Sequence, residues 1–350
     1  MRISTELFSP FRRACWRIGL ACLVGLFLST TAFAANSAAV FIYHRFGESE
    51  FAGTNITIEQ FEAQIQELKS GNYHVLPLLE IVQALREGKA LPERAVAITI
   101  DDAFLSIYTQ AWPRLKAAGF PMTLFVAADA VDRGGKSYMT WDQIRQLAQE
   151  GVAIGGHTDT HLHMPLADDA TNAAEIARSN ARLLKELGKA PDLFAYPYGE
   201  ASLATQALVR KAGFLAAFGQ HSGVVHAGED PFYLPRFAFS ETYGDMARFR
   251  IAANALPLPV KDVTPPDMTL RKSDNPPKFG FTVSQDVPGL ERLRCYASNQ
   301  AMAQLERIGD ARIEVRLTEP FPRGRARINC TLHTADDRWR WYGRQFYVLE

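Results

Sequence analysis

Between residues 35 and 255, short apolar runs alternate with longer segments in which apolar positions recur every three or four residues. The runs 38–43, 95–100, 122–127 and 152–155 have the length and β-branched content of buried strands. Segments 58–70, 78–87, 107–118, 141–150, 171–187 and 201–212 carry the helical period. Gly71, Gly88, Gly119, Gly151, Gly188 and Gly213 stand where these helices should stop. Strand and helix in alternation predict a parallel sheet covered by helices, and a (β/α) barrel over 35–256 is its economical closed form.

The texture changes after residue 256. Pro257, Pro259, Pro265, Pro266, Pro276 and Pro277 interrupt any regular pattern, which predicts a linker over 257–278. The runs 279–283, 312–317, 326–332 and 345–349 are short and separated by turn residues, predicting a small antiparallel β-sandwich over 279–350. Within it, Arg338 to Arg344 mixes arginines with Trp339, Trp341 and Tyr342, a composition found both in cores and on binding faces.

The N-terminal pattern adds a compartment. Arg12, Arg13 and Arg17 precede an apolar stretch from Ile18 to Leu28, and Ala32-Phe33-Ala34 supplies small residues, so residues 1–34 read as a cleaved signal peptide and the protein as secreted or periplasmic. Those residues carry four Arg and one Glu. The remainder then holds 34 basic and 37 acidic side chains, a net charge of about −3 that gives no electrostatic case for nucleic acid. Cys15 and Cys22 leave with the signal, and the remaining pair, Cys295 and Cys330, is expected to form a disulfide in an oxidising compartment.

Chemistry concentrates at two predicted strand ends. The run Ala97-Ile98-Thr99-Ile100 ends in two adjacent carboxylates, Asp101 and Asp102, whose side chains diverge and can serve different purposes. The second strand end is Gly155-Gly156-His157-Thr158-Asp159-Thr160-His161-Leu162-His163, with three of the chain's eight histidines in seven positions. His157 and His161, four apart, share one face of a helical turn if the segment is helical. With Asp102 they make a two-histidine, one-carboxylate set that leaves coordination positions open for water and substrate.

These segments resemble the motifs of the polysaccharide deacetylase family, the NodB-homology type of carbohydrate esterase. Thr99-Ile100-Asp101-Asp102 matches the family's first motif, His157-Thr158-Asp159-Thr160-His161 its second, and Phe194-Ala195-Tyr196-Pro197-Tyr198-Gly199 is similar to its third. The resemblance spans roughly residues 40–255 and implies a distorted (β/α) barrel. It implies Asp101 as general base, Asp102, His157 and His161 as ligands of a divalent metal, commonly zinc, and the backbone N–H of Tyr198 as an oxyanion donor. The activity it implies is removal of N-acetyl groups from a glycan, with O-acetyl ester hydrolysis or silent glycan binding as alternatives.

Two departures from the family pattern bear on the site. The third motif often carries an Arg that orients the base, and Ala195 stands there; Arg236, at a later strand end, is the candidate replacement, with a surface ion pair as its other reading. The Leu-x-His segment that usually supplies the general acid is not evident, which leaves His44, after the first strand, and His221 as candidates. Tyr198, Tyr196 and Trp141 are assigned to the substrate wall, although Trp141 opens a helix and can instead fasten it to the barrel. The expected partner is an N-acetylated glycan, with a further glycan or protein contact for the C-terminal domain.

Overall fold

A computed structural model describes residues 34–284, 287–300 and 302–349. The expected signal peptide falls, except for Ala34, outside the described residues. Among the described residues no helix is long and apolar enough to cross a membrane.

The barrel sheet is built on six parallel strands, four of which fall on the predicted runs. They are β1 (Ser37–Tyr43), β2 (Ala95–Asp101), β3 (Met122–Val126), β4 (Ala153–Gly156), β5 (Leu193–Ala195) and β6 (Ala216–Phe218), paired in parallel in the order β6-β5-β4-β3-β2-β1. A further short strand, β7 (Phe237–Ala238), pairs in parallel with Phe41 and Ile42 of β1, while Leu234 just before it bridges to Phe218 of β6. The segment 234–238 therefore touches both edges of the curled sheet and closes it. Every residue of β2 is buried, as a strand covered on both faces requires.

Local signals set the helix ends. Thr57, Thr140 and Ser202 each form a capping box with the residue three positions on. Gly119 and Gly188 end helices in the left-handed conformation, with φ of 71° and 70°. The segment predicted as one helix over 107–118 opens instead as a π turn, Ile107–Ala111, before Trp112–Ala118. Pro113 has no N–H to continue an α ladder there.

The C-terminal part is two antiparallel-built sheets face to face. One contains Val260–Thr264, Phe279–Val283, Arg312–Arg316 and Gln304–Ile308; the other contains β8 (Arg294–Ala297), β9 (Gly324–His333) and β10 (Trp339–Val348). Phe279, Phe281, Ile313 and Val315 from the first sheet meet Ala326, Ile328, Leu332, Phe346 and Val348 from the second in a common core. The Cys295–Cys330 disulfide is formed, between paired residues of adjacent strands in one sheet. Residues 257–278, expected as a linker, contribute short strands to these sheets. Leu256–Pro257 and Thr269–Leu270 pair in parallel with β10, and Val260–Thr264 pairs with Phe279–Val283. Proline does not prevent this, because these are edge positions.

The outer face of the second sheet lies on the barrel. Alternation along β9 and β10 sends Ala326, Ile328 and Phe346 into the sandwich, and turns Arg325, Arg327, Asn329, Trp341, Gln345 and Tyr347 the other way. Trp341 meets Phe237 edge-on with 5.4 Å between ring centroids, and Gln345 Nε2 donates to the Tyr198 carbonyl at 3.0 Å. Gly343 comes so close to the Ser222 carbonyl that no Cβ fits. The described residues form one compact unit.

Candidate active site

Each barrel strand is parallel to its neighbours, so the segments that follow them gather at one end. Asp101 closes β2 and is fully buried; Asp102 follows with φ of 78°, a left-handed conformation that swings its carboxylate away from its neighbour's. Ala103, Thr158, His161 and Tyr198 also have positive φ, near 56–60°. Among the described residues, half of the ten non-glycine positions with positive φ thus sit in the three motif segments or directly after one, a concentration of strained backbone that marks functional sites.

His157 and His161 converge on Asp102, but not from a helix. The segment 157–163 is irregular, with Thr158 and His161 both left-handed, so the helical-turn expectation is corrected: a tight loop brings the imidazoles together. Thr158 Oγ1 accepts from the His161 N–H at 3.1 Å. The buried Glu175, from helix Asp169–Leu187, accepts through Oε2 from the N–H of Asp159 and of Thr160 at 3.1 and 2.8 Å. Gly155, at the end of β4, lies against the Phe125 ring where a Cβ would collide.

The donor atoms of Asp102, His157 and His161 all lie within 4.8 Å of one another. Asp102 Oδ1 is 3.4 Å from His157 Nε2 and 3.2 Å from His161 Nε2. His157 Nδ1 lies 2.7 Å from the Ala195 carbonyl, which accepts only from a protonated Nδ1 and so leaves Nε2 free as a ligand. Asp102 Oδ1 and His157 Nε2 are both buried without a hydrogen-bond partner. Two orphaned acceptor-type atoms facing each other fit a divalent cation between them.

Electrostatics separates the two aspartates. Burial works to raise both carboxyls. For Asp102, contacts with His157 and His161 outweigh burial and hold it well below the usual carboxylate range. For Asp101, the Arg236 guanidinium and His157 outweigh it, and its pKa is lowered.

Arg236 settles one open alternative: it is not a surface residue. It is fully buried, and its Nη1 and Nη2 donate to Asp101 Oδ1 and Oδ2, each at 2.8 Å. Its Nε donates to the Gly219 carbonyl at 2.9 Å, and Thr99 Oγ1 accepts from Nη1 at 3.1 Å while donating to the Phe41 carbonyl at 2.6 Å. A guanidinium arriving from next to β7 therefore holds both oxygens of Asp101.

His44 directly follows β1, and the charges of both aspartates bear on it. Burial lowers its pKa, while the charges of Asp102 and Asp101 oppose that shift. Tyr198 borders the cluster: its ring stands edge-on to His161 at 4.4 Å and stacks on His163 at 4.1 Å, with the Arg325 guanidinium 5.4 Å from its centroid.

Three predicted site residues lie elsewhere. Tyr196 is buried in the core beside Phe194, its hydroxyl donating to the Phe232 carbonyl at 2.9 Å. Trp141 fastens its helix, donating to Asp132 Oδ1 at 2.7 Å beneath the Arg182 guanidinium. His221 stacks on Tyr233, and burial, reinforced by Arg344, Arg327 and Arg236, pushes its pKa down to about 3. A neutral imidazole of that kind is a poor proton donor near neutral pH, and its ring packs on Tyr233 rather than on the Asp102 cluster. Conversely, the sequence pattern does not single out Glu175 or Glu200. Glu200 is buried against His163 Nδ1, 2.7 Å away, and burial raises its pKa although His163 opposes the rise.

A parallel-stranded barrel with a carboxylate, two histidines and a separate arginine-held carboxylate at its carboxyl end defines a hydrolase of the deacetylase class. A family model described as "Polysaccharide deacetylase" matches residues 88–217 of the chain. The chain is 28% identical over 221 residues to a poly-beta-1,6-N-acetyl-D-glucosamine N-deacetylase of Staphylococcus aureus, covering 59% of this chain and 75% of that one. The solved structure of IcaB from Ammonifex degensii superposes with a TM-score of 0.58 at 27% identity, over 63% of this chain and 98% of that one. The Streptococcus pyogenes deacetylase PplD, in complex with acetate, shares the fold at 23% identity and a TM-score of 0.55, over 60% of this chain and 95% of that one. More than a third of this chain thus extends beyond the matched part of such relatives.

Proposed function

We propose that this protein is an exported, metal-dependent hydrolase that removes N-acetyl groups from a polymer of N-acetylated glucosamine. The observation that carries the proposal is the juxtaposition of an Asp102–His157–His161 cluster with an Asp101 carboxylate held by Arg236. The S. aureus relative's name supports the substrate class. Export is supported by the N-terminal pattern and the formed disulfide.

Asp102, His157 and His161 would hold the ion, and a set of two imidazoles and one carboxylate suits zinc. A divalent cation there supplies Lewis acidity to the acetyl oxygen and to the attacking water. Asp101, kept ionised by Arg236, lies beside the cluster, with Oδ2 3.9 Å from His157 Nε2, and takes the proton that the water gives up. The Arg236 fork fixes both carboxylate oxygens, so the base does not turn away between cycles. The backbone N–H of Tyr198 stabilises charge on the former carbonyl oxygen, and the Tyr198 ring lines the sugar side. The departing amine requires a proton, and His44 is the candidate to supply it, because the charges of Asp102 and Asp101 oppose the lowering of its pKa by burial, whereas arginines reinforce that of His221. The products are acetate and a free amino sugar.

The test is acetate release from N-acetylated glucosamine oligomers, with O-acetylated glycans alongside. Release from the N-acetylated series that stops on chelation and returns with zinc supports the proposal. Release from O-acetylated glycans alone would reassign the enzyme as an esterase.

A further inference from the structure

A cavity of about 330 Å3 opens between the barrel and the outer face of the C-terminal sheet, and its lining includes neither Asp102 nor either histidine ligand. The barrel side is built by Gln220 and Ser222, which follow β6, and by Ala238, the last residue of β7. Both strands are parallel to those that end in the Asp102 cluster, so the cavity opens at the same end of the barrel as the candidate active site.

The sheet side is continuous with that site. Along β9, Arg325 stands over the Tyr198 ring, and the next residues on the same face, Arg327 and Asn329, line the cavity. Each two-residue step along an antiparallel strand covers about 7 Å. One strand face therefore leads from the catalytic rim to the cavity. The C-terminal sheet lies outside residues 88–217, the stretch that the family model matches.

The lining suits a sugar ring. Tyr243 and Tyr296 remain 54% and 48% exposed, which is unusual for side chains beside so much buried surface, and Trp341 adds its indole. Arg248 Nε is buried there without a partner, and Asn329 Oδ1 accepts from Trp341 Nε1 at 3.0 Å while its amide remains available. Aromatic faces with a few fixed polar groups, in a volume of this size, are the usual make-up of a small-ligand site. Two arginines and no carboxylate line it among the described residues. The acid whose charge bears on Arg327, Glu200, is buried and faces His163 and Arg325.

We infer that this cavity is a remote subsite for an uncharged, N-acetylated sugar unit of the same glycan whose acetyl group reacts at the Asp102 cluster. The inference rests on the deacetylase reading for its choice of ligand. Its lining disfavours the product, because a free amino sugar is cationic near neutral pH and meets Arg248 and Arg327 directly, while Asp245 and Glu200, the acids whose charges bear on them, lie outside the lining. The C-terminal sheet is then part of substrate recognition, favouring stretches of polymer still acetylated on that side.

Tyr243→Ala and Tyr296→Ala are the variants to use, since both rings are half exposed and neither holds the core. Acetate release is measured on N-acetylglucosamine oligomers of increasing length. Binding of the longest oligomer is measured by calorimetry on the full chain carrying Asp101→Asn, with and without each Tyr change. We expect KM for the long oligomers to rise about fivefold more than for the shortest, with kcat held, and binding to weaken by a similar factor. The fully deacetylated oligomer is expected to bind Asp101→Asn at least about tenfold more weakly than the acetylated one. Deacetylation whose length dependence is the same in wild type and both variants overturns the subsite and leaves the deacetylase reading standing. Loss that is equal at every length overturns it too. Absent acetate release with Tyr-dependent oligomer binding overturns the deacetylase reading and leaves the subsite. Equal binding of amine and acetylated oligomers overturns the assignment to an uncharged unit.

Discussion

Arg236 and Asp101, 135 positions apart in sequence, are joined by two 2.8 Å hydrogen bonds in a setting that excludes solvent from both side chains. The pair is bidentate and charge-assisted, so it fixes orientation as well as charge. Replacing only Arg236 leaves an ionised carboxylate buried without its partner. Arg236→Ala should therefore lower folding stability by about 3–5 kcal/mol in denaturant unfolding. Arg236→Lys, which keeps the charge but not the fork, should keep more stability than Ala while still losing activity. Wild-type turnover in Arg236→Lys would show that the fork geometry is not needed.

Asp101 and His157 are expected to fail differently. Asp101→Asn should reduce acetate release by at least about 10²-fold while zinc binding, followed by metal analysis, is retained. His157→Ala should lose metal and activity together. A metal-free Asp101→Asn protein would move Asp101 into the ligand set.

Glu175 touches no candidate ligand, yet it holds the loop that carries two of them through the N–H groups of Asp159 and Thr160. Glu175→Gln weakens those charge-assisted bonds. Zinc affinity, measured by competition with a chelator, should fall about 10–100-fold, as it does when groups that position metal ligands are altered. Unchanged affinity would mean that the loop holds its shape without Glu175.

His221 predicts an acid sensitivity. Burial and nearby arginines lower its pKa from 6.5 to about 3 in the folded chain. Between those values the unfolded chain binds the extra proton, so stability rises with pH across the window and is lost as pH falls from about 6.5 toward 3. The slope from this one group is at most about 1.4 kcal/mol per pH unit. His221→Asn, which cannot be protonated, should flatten the decline of stability below about pH 6.5 in urea titrations. An unchanged decline would assign it to other groups.

Much of this site is visible in the sequence because its parts are local. The acid pair interrupts a β-branched run, and the histidines fall within seven positions after two glycines, so Asp102, His157 and His161 can be grouped before any fold is known. What brings them together is less local. Thr158 and His161 adopt left-handed backbone that spacing alone does not reveal, and four-residue spacing suggests a helix instead. Arg236 is identifiable only as one of several arginines at strand ends, since its partner is remote in sequence. Glu175 sits in an ordinary amphipathic helix and Glu200 after a short turn, where nothing in their neighbours sets them apart. The barrel is legible through its long strands and helices. The short strands β5, β6 and β7 hold too few residues to show a period, and they are the ones that close it. Alternation in the C-terminal strands foretells two faces, but only the packed sheet shows that one of them covers the barrel.

The most direct measurement is acetate released from an N-acetylated glucosamine oligomer by the purified chain, before chelation, after chelation, and after return of one equivalent of zinc. Release that is lost with the metal, regained with it, and absent throughout in His161→Ala is the predicted result. Sustained release by chelated protein confirmed metal-free, or by His161→Ala, would contradict the assignment of Asp102, His157 and His161 as the centre of catalysis.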